Sequence, residues 1–141
     1  MLFRSRLAAE RDALTVVDDQ HGCPTSAADL AAALAAIAQR LATDAAAPTG
    51  TFHCVNAGDT TWRGFAEAIV AGSARRGGRS VPVKGIPTSA YPTPARRPAN
   101  SRLATDSLTR AYGLAPRPWQ AALDDILDRL VGPVSEGVPT P

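Results

Sequence analysis

The stretch LTVVDDQHGCPTSAADLAAALAAIAQRLAT, residues 14–43, carries the clearest structural signal in the chain. Its first residues are rich in β-branched side chains and predict a short strand over residues 14–18. Ser26 then suits the N-cap of a helix that runs from about residue 27 to residue 43, and the carboxylate of Asp29 suits the positive end of that helix. A strand, a turn and a helix in this order predict an α/β fold.

The predicted helix carries apolar side chains at helical spacing along one side, at Leu30, Leu34, Ile37 and Leu41. A large aliphatic side chain gains about 1.5–3 kcal/mol when it moves from water into a core. We therefore expect this side of the helix to be buried against the rest of the fold.

Further strands and helices alternate along the chain, which strengthens the α/β prediction. Residues 51–56 and 81–86 have the composition of short strands, and residues 61–74, 105–112 and 118–131 have the apolar spacing of helices. A proline inside 81–86 removes a backbone donor, so this strand is expected at a sheet edge. Three short strands make only a thin sheet, so we expect the chain to be part of a larger structure.

The composition is that of a globular protein and argues against several classes of function. Hydrophobic residues make up 45% of the chain, and the formal net charge is only +2, which argues against binding to nucleic acid or to an anionic membrane surface. The longest apolar stretch, residues 30–38, is too short to span a bilayer. The first residues lack the layout of a signal peptide, so a cytoplasmic location is expected.

The sequence contains no recognisable motif for catalysis, cofactor binding or metal binding. It has no G-x-G-x-x-G turn for a dinucleotide, no phosphate-binding P-loop and no tyrosine followed four residues later by lysine. His21, Cys23, His53 and Cys54 do not have the spacing of zinc ligands. We therefore predict no catalytic, cofactor-binding or metal-ligating residue in this chain.

A proline-rich segment, residues 87–103, is held extended by four prolines and carries Arg96, Arg97 and Arg102. A guanidinium group matches a phosphate with two parallel hydrogen bonds, and a stiff backbone reduces the entropy lost on binding. The segment is therefore a candidate site for a phosphorylated ligand. An equally open alternative is an arginine-rich surface loop that pairs with nearby carboxylates.

Two parts of the chain have a distinctive order of residues. Residues 16–25 read V-V-D-D-Q-H-G-C-P-T and are followed by D-L-A at 29–31, while residues 91–103 read Y-P-T-P-A-R-R-P-A-N-S-R-L. They resemble the V-V-x-D-Q-x-G-x-P-T-x-x-x-D-L-A and Y-P-T-P-A-R-R-P-x-N-S-x-L stretches of dTDP-4-dehydrorhamnose reductases, which are extended short-chain dehydrogenases. Residues 119–130 resemble the closing helix of the same family, so the resemblance covers nearly the whole chain in order.

The resemblance implies a Rossmann-type α/β fold of which this chain is the C-terminal, substrate-binding part, with the N-terminal cofactor half missing. Residues 1–131 would form the nucleotide-sugar-binding portion and residues 132–141 a flexible tail. The intact enzyme would use NADPH or NADH, bound by the missing half, to reduce dTDP-4-dehydro-6-deoxy-L-mannose to dTDP-L-rhamnose, and this chain alone would be inactive. The alternative is a non-catalytic regulatory or partner subunit of the reductase-like type.

The resemblance also implies which residues line the nucleotide-sugar site. It matches Arg97 to an arginine that contacts the diphosphate in related enzymes, and it makes Gln20, Thr25, Asn100 and Ser101 further substrate-binding candidates, unless these hold the shape of the loops. The expected ligand is a dTDP-sugar. The expected protein partner is a second copy of the chain or a separately encoded Rossmann half. Mg²⁺ is kept as a further cofactor candidate, although no residue of the sequence supports it.

Overall fold

Two small β-sheets and the helices around them form the part of the chain that the computed structural model describes, residues 10–134. In chain order the elements are β1 (Leu14–Val17), β2 (His21–Gly22), α1 (Ala27–Thr43), β3 (Thr60–Thr61), α2 (Trp62–Ala74), β4 (Val83–Ile86), a 3-10 turn (Thr88–Ala90), β5 (Asn100–Ser101), α3 (Asp106–Tyr112) and α4 (Trp119–Leu130).

The two sheets place the early loop beside the proline-rich segment. Strands β1 and β4 pair in parallel, and β2 pairs antiparallel with β3 on one side and parallel with β5 on the other. One face of the β1–β4 sheet packs on α2 through a buried cluster of Leu14, Val70 and Val81. The short β2–β5 pairing therefore ties the loop after β1 to the end of the proline-rich segment.

Helix α2 also packs against α4, and this contact forms the second core cluster. Ile69 of α2 is buried against Trp119, Leu123 and Leu127 of α4. Phe65 meets the Trp119 ring edge to face, with the ring centroids 5.6 Å apart. Burial on two sides makes α2 the central element of the described fold.

The buried guanidinium of Arg76 joins the end of α2 to α4. Its Nε donates to Asp128 Oδ1 at 2.8 Å, and Nη2 donates to Asp124 Oδ1 at 3.2 Å. Its Nη1 donates to the carbonyl oxygen of Gly72 at 2.9 Å. These partners offset the cost of removing the charge from water.

The structure confirms the prediction for the first strand and the first helix. Helix α1 spans Ala27–Thr43, and the hydroxyl oxygen of Ser26 accepts a hydrogen bond from the backbone N–H of Asp29 at 2.9 Å, which is the predicted N-cap. The strand predicted over residues 81–86 is also present as β4, and its proline lies just before the paired residues. In both cases the signal is local, because capping and strand composition depend on neighbouring residues.

The prediction of a strand over residues 51–56 is wrong. Within residues 10–134 this segment forms no ladder, and the pairing nearest to it is a single bridge between Ala57 and Pro118. Its side chains alternate between half-buried and exposed from Thr51 to Cys54, as in a strand. The composition is therefore that of a strand, but no described strand lies beside it to complete the hydrogen bonds.

The expected burial of the apolar side of α1 is also wrong for the described part of the chain. Leu30, Leu34 and Leu41 are 38%, 58% and 47% exposed, and no residue of α1 is buried. Leu30 lines a groove of about 360 Å³ together with Cys54 and Val55, so α1 and the unpaired segment are neighbours. We call these three leucines and residues 51–55 the uncovered face, because the leucines are exposed and residues 51–55 pair with no described strand, although Phe52 packs edge to face on Tyr112 of α3.

No helix within residues 10–134 is both long enough and apolar enough to cross a membrane. The expected flexible tail, residues 132–141, lies outside the described residues from residue 135 onward.

Candidate functional site

A cavity of about 510 Å³ lies where β1 meets the proline-rich segment, and we call it the β1 cavity. Two predicted site residues that are far apart in sequence, Gln20 and Arg97, both line it. Among residues 10–134, its lining consists of Arg11, Leu14, Thr15, Val16, Val17, Gln20, Trp62, Thr88, Tyr91, Thr93 and Arg97. This lining combines cationic and neutral polar groups with an apolar base, which is the usual make-up of a small-molecule site.

Arg97 has no hydrogen-bond or ion-pair partner among residues 10–134, and its side chain is exposed. Arg102, five residues later, is held by its neighbours: its Nε donates to Asn100 Oδ1 at 2.9 Å and its Nη1 lies 3.4 Å from Asp59 Oδ2. The sequence left two roles open for the arginines, a phosphate site and a surface loop paired with carboxylates. In the structure these roles fall to different residues. Arg102 belongs to a surface loop paired with a carboxylate, whereas Arg97 is a cation beside a cavity.

The side chain of Gln20 is held in place from the 3-10 turn. Its Nε2 donates to Thr88 Oγ1 at 3.0 Å. Asp19 accepts a hydrogen bond from the backbone N–H of Thr88 at 2.9 Å and another from the Thr88 hydroxyl. The Thr88 hydroxyl, followed by the Thr88 backbone N–H, lowers the pKa of Asp19 below its ordinary value.

The other three predicted site residues do not line the β1 cavity. Asn100 uses its side-chain oxygen to accept hydrogen bonds from Arg102, and Ser101 donates to the carbonyl oxygen of His21 at 2.9 Å. Thr25 donates to the carbonyl oxygen of Cys23 at 3.0 Å. These contacts stabilise loops, which is the alternative role that the sequence left open for them.

Thr25 and Ser101 instead line a larger groove of about 710 Å³ between the loop after β2, α2 and α4. Among residues 10–134 the lining of this groove is mostly apolar and contains no charged side chain, so it offers no cationic group to a phosphate. We therefore take the smaller β1 cavity as the candidate functional site.

Sequence analysis missed Trp62, Thr88 and Tyr91, which also line the β1 cavity. Tyr91 is the first residue of the family-like stretch at 91–103, which also contains Arg97. The sequence could therefore have indicated Tyr91 as a site residue. Trp62 and Thr88 come from separate elements, and only the packing of α2 and the 3-10 turn around β1 brings them to the cavity.

A polar network fixes the loop before α1 to the chain beside it. Asn56 is only 2% exposed; its Oδ1 accepts from the backbone N–H of Ser26 at 2.9 Å, and its Nδ2 donates to Asp29 Oδ2 at 2.7 Å. Arg117 donates to the same carboxylate through Nε at 2.9 Å. The Arg117 hydrogen bond, with a smaller contribution from Asn56, holds the pKa of Asp29 below its ordinary value against the opposing effect of burial.

The lowered pKa of Asp29 predicts a pH-dependent contribution to stability. A carboxyl whose pKa is lower in the folded state stabilises the fold above its unfolded pKa of about 4, and this contribution is lost as the pH falls through the folded pKa. We expect Asp29→Asn to lower the free energy of unfolding by about 1–3 kcal/mol at pH 7, and to lower it by less at about pH 3. Urea denaturation at both pH values measures this difference.

The matched control is Asp12→Asn, because the Asp12 carboxyl is 97% exposed where it pairs with Arg79. Its effect on stability should be small at both pH values. An Asp29→Asn effect of equal size at pH 7 and at low pH would show that the ionised carboxylate is not the stabilising group.

Within the described part of the chain, no three His, Cys, Asp or Glu side chains come together in a way that could hold a metal ion. Mg²⁺ therefore finds no set of protein ligands among residues 10–134.

Comparison with protein families finds that a sequence model described as the RmlD substrate binding domain matches residues 2–131. Curated proteins named dTDP-4-dehydrorhamnose reductase are similar to the chain. One from Sinorhizobium fredii is 43% identical over 116 residues, which cover 82% of this chain and 39% of that protein. One from Escherichia coli is 42% identical over 128 residues, covering 89% of this chain and 42% of that protein.

Solved structures of dTDP-4-dehydrorhamnose reductases also superpose on the chain. One from Clostridium acetobutylicum has a TM-score of 0.81 at 32% identity and covers 92% of this chain and 42% of that one. One from Bacillus anthracis, in complex with NADP, has a TM-score of 0.75 at 28% identity and covers 91% of this chain and 42% of that one. The chain thus spans about two-fifths of the length of the relatives it matches.

Proposed function

The chain belongs to the RmlD substrate binding domain family, and from this premise we propose that it forms the nucleotide-sugar-binding part of a cytoplasmic dTDP-4-dehydrorhamnose reductase. One observation carries the proposal: Arg97, in the family signature, lines the β1 cavity without a partner among residues 10–134. A guanidinium in this state is ready to bind the diphosphate of a nucleotide sugar, because no carboxylate in the described part of the chain pairs with it.

The charge and shape of the β1 cavity support an anionic ligand with an apolar part. Arg11 and Arg97 line it, and no carboxylate belongs to the part of its lining that the structure describes. Trp62 and Tyr91 add aromatic surface, on which a thymine or a sugar ring can pack. An unpaired cation beside aromatic rings favours substrate binding over a non-catalytic regulatory subunit, which has no need of a phosphate-binding group.

In the reaction that we propose for the whole enzyme, the C4 keto group of dTDP-4-dehydro-6-deoxy-L-mannose becomes the hydroxyl of dTDP-L-rhamnose. NADPH supplies the hydride to C4, and an acid in the part of the enzyme that this chain does not match supplies the proton to the oxygen. The relative from Bacillus anthracis with bound NADP supports NADPH over NADH. The role of this chain is to hold the diphosphate and the sugar in place. Its own residues supply binding and orientation, which are a substantial part of catalysis.

The residues of this chain do not fit the nicotinamide cofactor. A dinucleotide-binding turn joins a parallel strand to a helix through glycines. Here β1 leads into Asp18 and Asp19, and β4 leads into Pro87, so neither strand of this sheet enters a helix through a glycine turn. The two-residue strand β2 does precede α1, but after Gly22 the connection reads C-P-T-S and has no further glycine. We therefore propose that a different part of the protein binds the cofactor, on the same polypeptide or on a second one.

We further propose that this cofactor-binding part covers the uncovered face. The relatives are more than twice as long as the region that this chain matches, so each has a large part that could pack here. Leucines on α1 present an apolar surface to it, and residues 51–55 present backbone groups that a neighbouring strand can pair with. A second copy of this chain is the competing occupant.

Titration calorimetry of the chain with dTDP tests the proposed function, with ADP as the comparison nucleotide. We expect dTDP to bind with a Kd between about 10 μM and 1 mM, because the isolated chain offers only part of the site. ADP carries the same diphosphate on a different base and sugar, so we expect it to bind more weakly. Equal binding of the two nucleotides, or no binding of dTDP, would contradict the proposal.

A further inference from the structure

Gln20 and Thr88 line the β1 cavity, and hydrogen bonds join Thr88 to Asp19, which lies outside the lining. Thr88 Oγ1 is shared between a carboxylate oxygen of Asp19 and the side-chain amide of Gln20. The backbone N–H of Thr88 also donates to Asp19, which fixes the turn against the loop after β1. The direction of each bond follows from how many protons the three groups carry.

An ionised carboxylate has no proton to give, so Asp19 can only accept. The lowered pKa of Asp19 keeps it ionised across the neutral range. The Thr88 hydroxyl has a single proton, and it donates that proton to Asp19. Thr88 Oγ1 can then only accept from Gln20, so the nitrogen of the Gln20 amide must face Thr88.

We propose that Asp19 and Thr88 act as positioning residues that turn the carbonyl oxygen of Gln20 toward the ligand in the β1 cavity, where it accepts a hydrogen bond from a donor on the nucleotide sugar. This inference rests on the proposed function. Gln20 Oε1 has no partner among residues 10–134, and Gln20 lines the cavity together with Arg97. Among the groups that line the cavity, the guanidinium of Arg97 thus offers the ligand donors, and the carbonyl oxygen of Gln20 offers it an acceptor.

Arg97 and the carbonyl oxygen of Gln20 together favour a ligand that has both an anionic group and a hydrogen-bond donor. A diphosphate ionised at neutral pH supplies acceptors for Arg97 but little that Gln20 can use. The donor for Gln20 comes from the imide N–H of thymine or from a sugar hydroxyl. An acceptor that is held in place rejects a ligand without a donor, because a polar group left unpaired in the complex costs affinity.

Thr88→Val tests the proposal, because valine has the shape of threonine without the hydroxyl. We expect this variant to bind dTDP-glucose about 3- to 10-fold more weakly than the unchanged chain, since the Gln20 amide is then free to turn. Thr88→Ser keeps the hydroxyl and should retain the original affinity. Inorganic pyrophosphate reports on the arginines of the cavity and carries little that Gln20 can accept, so it should bind equally to all three proteins.

Two further ligands identify the source of the donor. If it is the imide N–H, dTDP itself shows the loss in Thr88→Val, and dTDP methylated at N3 binds weakly and equally to both proteins. If it is a hydroxyl of the sugar joined to the diphosphate, dTDP shows no loss and only dTDP-glucose does. Either pattern supports the proposal and names the donor.

Other results overturn the inference. Equal losses for pyrophosphate and dTDP-glucose would mean that Thr88 only supports the fold of the turn, and unchanged affinities would mean that the direction of the Gln20 amide is irrelevant. If the unchanged chain binds pyrophosphate but distinguishes no dTDP ligand from it, the proposed function fails together with this inference. If the unchanged chain prefers dTDP-glucose and Thr88→Val does not alter this preference, only the inference fails.

Discussion

Replacing Arg97 by alanine should weaken dTDP binding by about 10- to 100-fold, because a charge-assisted hydrogen bond to phosphate contributes about 1.5–3 kcal/mol. The stability of the chain should not change, since Arg97 has no partner within residues 10–134 whose loss could weaken the fold. Titration calorimetry measures the affinity, and urea denaturation of the same samples measures the stability.

Arg96→Ala is the matched control for this prediction. Arg96 is the preceding residue, is also exposed, and does not line the β1 cavity. We expect its replacement to lower the affinity for dTDP by less than about twofold, through the general loss of one exposed charge. Arg97→Lys should fall between the two, because lysine keeps the charge but loses the planar fork. Equal losses in Arg96→Ala and Arg97→Ala would rule out a specific contact at Arg97.

Sequence reasoning succeeded where the signal was local and failed where it depended on a distant partner. The N-cap at Ser26 and the bounds of α1 follow from adjacent residues, and the structure has both. The strand prediction for residues 51–56 read their composition correctly, but a strand also needs a neighbour to pair with. The predicted burial of the apolar side of α1 was wrong for the same reason. Periodicity shows which side of a helix is apolar, but it does not show which element covers that side.

The candidate site shows the same limit. Gln20 and Arg97 were selected through a resemblance, and the fold brings both to one cavity although 76 residues separate them in the chain. Asn56 was not selected at all, because its contacts with Asp29 and Arg117 join residues 27 and 61 positions away. The direction of the Gln20 amide requires Thr88, which lies 68 residues further along. None of these pairings has a local sequence signal.

The uncovered face leads to the other large expected effect. We expect Leu34→Glu and Leu41→Glu to lower reductase activity by at least about tenfold when the chain is combined with a separately produced cofactor-binding part. A leucine at an interface contributes about 1.5–3 kcal/mol by leaving water, and a buried carboxylate adds a further cost. Neither variant should destabilise the chain alone by more than about 0.5 kcal/mol, because both leucines are already exposed.

The experiment supplies the part of the Clostridium acetobutylicum relative that this chain does not cover, together with NADPH and dTDP-4-dehydro-6-deoxy-L-mannose, and follows the oxidation of NADPH. Leu130→Glu is the control, because Leu130 on α4 is 47% exposed, the same fraction as Leu41, and lies outside the uncovered face. Activity that survives in both α1 variants would show that the cofactor-binding part docks elsewhere. If the two α1 variants instead abolish only self-association of the chain, with the activity unchanged, a second copy of the chain is what covers this face.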